Sequence, residues 1–233
     1  MNISRSFVLA LVFASAVIAL LLLAATQSPA QTVPTNIENA EAPDAPDPSK
    51  AVPPTRFLHE HPLTGRERVK WAVRGTVGPL SLGVVGVFSA AVGTAENAPK
   101  EYGGSWAGFG KRYGMRLTGV ATSNAIEAGM GAFWGEDPRY FRDPTLPFGG
   151  RVRRVIKMTF FDYRADGQVI PAYARFIAIP GSNFLSNTWR ADSEASTDDA
   201  VLRTVYGFAS TMGKNAFLEF WPDTKRIVFH HKQ

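Results

Sequence analysis

Within residues 107–134, small side chains recur near every fourth position, at Gly110, Gly114, Thr118, Ala121, Ala125, Gly129 and Ala132. An α-helix turns once in about 3.6 residues, so this spacing draws one narrow stripe without bulky groups along a single helix. Such a stripe lets a neighbouring backbone come close, in membrane bundles and in soluble ones alike. Helices packed on helices are the architecture it favours.

The preceding stretch points the same way. Residues 75–95 carry no charge, and the run is long enough to cross a hydrocarbon layer of about 30 Å. Only eleven of the twenty-one are apolar, however, and Gly75, Gly78, Pro79, Gly83, Gly86 and Gly93 weaken insertion. The expected element is a helix buried inside a bundle or lying partly in a membrane, kinked or restarted at Pro79.

Start and stop signals divide the rest. Thr64-Gly65-Arg66-Glu67 has capping-box form, in which hydroxyl and carboxylate satisfy free amides at a helix start. Asp137 before Pro138 ends one helix near Gly135 and opens a short new one. Residues 151–160 form an amphipathic helix, with Val152, Val155, Ile156, Thr159 and Phe160 on one face and Arg151, Arg153, Arg154 and Lys157 on the other. Asp166-Gly167 marks a turn. Residues 171–189 read as helix broken at Pro180-Gly181, although Val169 and Ile170 could begin a strand. Ser196-Thr197-Asp198-Asp199 starts a final helix over 198–220, which Trp221-Pro222-Asp223 stops. The expected fold is all-α, a compact helical bundle with glycine-spaced packing over residues 56–233.

Two segments precede it. Residues 7–25 are uncharged and follow Arg5, and Ser28 and Ala30 fit the small-residue pattern of a signal cleavage site with Gln31 as the new N-terminus; the alternative is an uncleaved anchor. Residues 31–55 hold six prolines, four acids and no aromatic residue, the composition of a disordered linker. Export to a periplasm or cell envelope follows. The linker carries a formal charge of −3 and residues 56–233 carry +7. For an exported chain this disfavours nucleic acid and favours an anionic membrane surface or another envelope component, with a protein partner or self-association also open.

Candidate chemistry is sparse. The absence of cysteine excludes disulfides, thiol nucleophiles and cysteine-ligated metals. No hydrolase elbow, phosphate-binding loop or dinucleotide fingerprint is present, so no cofactor is expected. The four histidines, His59, His61, His230 and His231, lie at the edges without metal-ligand spacing, so no metal is expected either. Lys111, Arg112, Glu136, Asp137, Arg139 and Arg142 are the candidates for holding an acidic ligand, Glu136 or Asp137 assisting as acid or base; capping and ion pairing explain the same letters structurally. Arg66, Lys70, Arg74, Arg151, Arg153, Arg154 and Lys157 border apolar helix faces and are candidates for contact with an anionic bilayer. Trp71, Trp134, Trp189 and Trp221 fall near predicted helix ends, and Trp106 just before one, where amphipathic rings collect in interfacial proteins.

The blocks Gly110-Lys111-Arg112-Tyr113-Gly114, Glu136-Asp137-Pro138-Arg139-Tyr140-Phe141-Arg142 and Glu219-Phe220-Trp221-Pro222-Asp223 together resemble a family of uncharacterised exported bacterial proteins, over residues 64–229. The resemblance implies export and one continuous domain, and brings no activity with it. The leading expectation is a non-enzymatic envelope protein that associates with a membrane; the alternative is an enzyme or binding protein for an acidic or lipid-like ligand.

Overall fold

A computed structural model of the protein describes residues 63–229. The first 62 residues, with the signal segment and linker, and the histidines at both ends lie outside the described residues.

The bundle is built on one long helix. Helix α1 spans Gly65–Val77 and starts at the capping box, where Thr64 accepts from the Glu67 amide and Glu67 accepts from the Thr64 amide. After Pro79, which has no N–H to continue the ladder, the chain winds as a wider π-helical stretch over Leu80–Gly86 before α2, Val87–Ala95. Helix α3, Trp106–Trp134, is 29 residues long, roughly 44 Å, and ends at Gly135, whose φ of 71° lets the chain turn out of the helix. Helices α1, α2 and α5 (Tyr173–Ser186) pack on α3. Helix α6, Thr197–Phe229, lies against α5 and against α4, Phe148–Phe160.

All-α is the fold, with one small addition. Strands β1 (Glu136–Asp137), β2 (Phe161–Arg164) and β3 (Val169–Pro171) form an antiparallel sheet in that order, Asp137 opposite Tyr163 and Asp162 opposite Ile170. The short helix expected after Asp137 is replaced by β1 and an extended chain. The Asp137 carboxylate accepts from the amide and the guanidinium of Arg139, and the backbone pairs with β2 instead of coiling. The last helix also runs past its expected stop, through Pro222, and Arg142 and Arg151 bond the Glu219 carbonyl just before it.

The glycine stripe faces outward. A Cβ built on Gly110, Gly114 or Gly129 meets nothing within 4 Å, whereas one on Gly86 would lie 2.9 Å from Tyr113 and one on Gly207 would collide with Ile179 Cγ2. The close approach predicted for α3 is therefore made by other glycines. Gly207→Ala is expected to cost about 1–3 kcal/mol by overpacking the α5–α6 contact. Gly114→Ala is expected to be neutral or to stabilise by up to about 1 kcal/mol, since only helix propensity changes. Thermal unfolding followed by circular dichroism distinguishes the two.

Several charged side chains are buried, and many large apolar ones face outward. Among the described residues ten apolar residues are buried, five of them alanines, while twenty-three large apolar side chains are exposed, including Val69, Val73, Val77 and Val84 along α1 and its continuation. The largest fully buried side chains are Glu136, Glu219, Thr159 and Ser186. Hydroxyls that face outward on α3 are satisfied within the helix, Thr118 donating to the Gly114 carbonyl and Thr122 to that of Thr118. Gly65–Ala95 is long and apolar enough to cross a membrane, and only 17% of its most apolar window is buried. The alternative of a helix buried inside the bundle does not describe it.

Candidate functional site

Two buried ionic clusters and a cavity stand out among the described residues. In the first cluster Arg175, on α5, is 3% exposed and stands among carboxylates from two other elements. Its Nε donates to Glu127 on α3 at 3.0 Å, and one terminal nitrogen grips both oxygens of Asp162 on β2 at 2.8 and 2.9 Å. The other terminal nitrogen bonds the carbonyls of Met158 and Thr159 at the end of α4. Burial, working against the Arg175 charge, pushes the Asp162 carboxyl up to about 7. One arginine thus ties three helices and the sheet together.

In the second cluster Glu219, fully buried on α6, accepts from Arg151 Nε at 2.7 Å and from the Tyr140 hydroxyl at 2.8 Å. Asp223, one turn on, takes Arg142 on one oxygen and Arg151 on the other. Burial alone would raise the Asp223 carboxyl, but those two guanidinium groups together hold it below the usual range. Burial and the Glu219 hydrogen bond push the Tyr140 phenol well up, so it stays protonated and donates.

The acidic-ligand candidates do not converge. Lys111 and Arg112 sit near the start of α3, and Glu136 and Asp137 follow its end, separated by roughly 33 Å of helix. Arg112 is buried and bonds the carbonyls of Ala98, Pro99 and Gly103, so it pins the loop between α2 and α3. Arg142 belongs to the Glu219–Asp223 cluster, and Arg139 is bidentate on Asp137. Glu136 is 1% exposed and accepts from the Ala174 amide, with its carboxyl raised by burial. Asp137 is held by Arg139 and lines the cavity, and Glu136 keeps one buried oxygen, Oε1, without a partner among the described residues.

The membrane-surface candidates divide. Arg66, Lys70, Arg74, Arg153 and Lys157 are exposed, whereas Arg151 joins Glu219, and Arg154 bonds the Phe141 carbonyl and the Tyr163 hydroxyl. Helix α4 buries Val155 and Thr159 as expected, together with Met158, but it is rolled enough to expose Ile156 and to bring Arg151 inward onto Glu219.

The cavity, about 340 Å³, lies where the start of α1 meets the end of α3 and the sheet. Arg68 and Asp137 supply its charged walls, and Leu63, Gly65, Ala132, Gly135 and Ala165 the remainder. Among the described residues no group of three or more His, Asp or Glu is placed to hold a metal.

Sequence reasoning singled out neither Arg68 as a site residue nor Arg175, Asp162 and Glu219. A usable signal exists for one pair: Glu127 is the only charge within 117–135, and Arg175 the only one within 167–189. A lone charge in an apolar helix needs a buried partner, and these two are partners. No family model, no curated protein and no solved structure matches the chain.

Proposed function

We propose that this chain is an exported, non-enzymatic cell-envelope protein whose helical unit works against a bilayer, its apolar outer face on acyl chains and its exposed basic residues near anionic head groups. The large apolar side chains on the exterior carry this reading. Water penalises a surface with so many large apolar groups, and contiguous patches beyond a few hundred Å² mark membrane or protein contact. The basic residues Arg66, Lys70 and Arg74 precede the uncharged 75–95 stretch, a distribution suited to one end of a helix at the head-group level.

Flotation with anionic vesicles tests the proposal. Adsorption through basic residues alone is lost at about 1 M salt, where screening acts within about 3 Å, whereas apolar contact persists. The bound fraction is expected to change little between about 0.1 M and 1 M. Protein left in the soluble fraction at low salt counts against lipid contact. The open Gly110–Gly114 stripe favours a second reading, a second copy packed on α3, and a water-soluble oligomer of defined size without detergent would select it.

A further inference from the structure

The placement of charge, taken with the lipid-contact reading on which this inference rests, decides how the helical unit sits in a bilayer. Exposed charges segregate by the ends of the bundle and not by its faces. At the end where α1 starts and α3 stops, Arg66, Lys70, Arg74, Arg153, Lys157 and Arg164 are exposed, against the carboxylates of Glu67 and Asp166. At the other end, where the Ser193 hydroxyl bonds Glu101 across two loops, exposed Glu101, Asp192 and Asp198 outnumber Lys100 and Lys111. Between the ends, residues 75–95, 117–126, 176–189 and 204–213 carry no charge. These stretches lie side by side: Asn124 donates to Thr76, Phe176 meets Phe208, and Gly207 abuts Ile179. Arg116 and Arg203 border this belt and are turned onto the backbone carbonyls of Ser81 and Asn183. Large apolar groups are exposed on α1 and α2, on α5 and on α6, from Val69 and Val73 near the basic end to Phe88 near the other. A bundle lying flat on a membrane needs one apolar face and one charged face, whereas this one carries an apolar girdle.

We infer that the helical unit spans an anionic bilayer end to end, with its basic end among the head groups of the anionic leaflet and its other end emerging on the far side. Helix α3, roughly 44 Å long, matches the about 40–45 Å of a bilayer with its head-group layers. Its first and last residues are Trp106 and Trp134, at the two levels where indole rings collect. Helix α5 is shorter, but turns over residues 187–190 carry its hydrogen bonding on through Trp189. Lysine and arginine at the borders of the uncharged belt reach outward to the head groups, which widens the belt beyond the backbone positions that carry them. Charge complementarity sets the direction: anionic lipid attracts the cations of one end and repels the exposed acids of the other.

The chain has no cysteine, so two introduced thiols report both ends of one molecule. Lys100→Cys combined with Gln168→Cys places one at each end, at exposed positions. The full-length variant is added to sealed vesicles whose outer leaflet alone contains phosphatidylglycerol, treated with a membrane-impermeant maleimide, and read by peptide mass spectrometry before and after detergent. The expected result is one label per chain before detergent, at position 168, and two after it. Because both thiols lie in the helical unit, the count does not depend on what the hydrophobic head does. Changing Arg66, Lys70 and Arg74 to glutamine on this background is expected to shift part of the label to position 100, since direction follows charge. Two labels before detergent, as for a unit adsorbed on the surface, would overturn the inference while leaving lipid contact intact. So would no label, a single label at position 100, or a distribution that the glutamine changes leave unmoved. Protein that stays out of the vesicle fraction would overturn the lipid-contact reading itself, and the inference with it.

Discussion

Replacing Arg175 by methionine is expected to destabilise the protein by about 3–5 kcal/mol, the range for removing one partner of a buried ion pair. The effect is large because two carboxylates lose their partner at once, and two backbone carbonyls at the end of α4 lose a donor. At this chain length each kcal/mol moves the unfolding midpoint by roughly 2–4 °C, so a drop of roughly 6–20 °C is expected in a detergent-stabilised sample. Neutralising the orphans separates charge from packing. Glu127→Gln and Asp162→Asn added to Arg175→Met should recover at least half of the loss, because a buried charge triad replaced as a whole is often close to neutral. A single substitution costing under about 1 kcal/mol would show that water reaches this cluster.

Glu219→Leu comes second, at about 2–4 kcal/mol. It removes the acceptor for Arg151 Nε and for the Tyr140 hydroxyl, while Asp223 still holds the other end of Arg151. Tyr140→Phe alone should cost about 1–2 kcal/mol and add little on the Glu219→Leu background, since both changes break the same bond. Full additivity of the two, measured as midpoints in one detergent, would mean that Tyr140 and Glu219 do not act together.

What the sequence made legible was local. Thr64 with Glu67 and Gly135 at the end of α3 each form as their chemistry requires, because the partners lie within a few residues. Ser196 and Asp199 likewise exchange their reciprocal hydrogen bonds. The orientation of α4 and the fate of the charged candidates were not legible. Reading Val152 and Ile156 as the inner face and Arg151 as the outer one assumes that water lies outside, and Arg151 instead meets Glu219, sixty-eight positions away in sequence. Likewise the α3 stripe was read as a packing surface, but which of several glycines faces a neighbour depends on helix rotation. Asp137 had the letters of a helix cap, and pairing of its backbone with β2, more than twenty residues later, decided against the helix.

Whether the apolar exterior meets lipid is decided most directly by tryptophan quenching in vesicles whose acyl chains are brominated. All five tryptophans lie within 63–229, so the signal comes from the helical unit and not from the hydrophobic head. Trp106, 87% exposed at the start of α3, is the most informative of them in a variant with the other four changed to phenylalanine. Strong quenching by acyl-chain bromine together with weak quenching by aqueous iodide is the result expected of an exterior dissolved in lipid. Full accessibility to iodide with no effect of the brominated chains would contradict it.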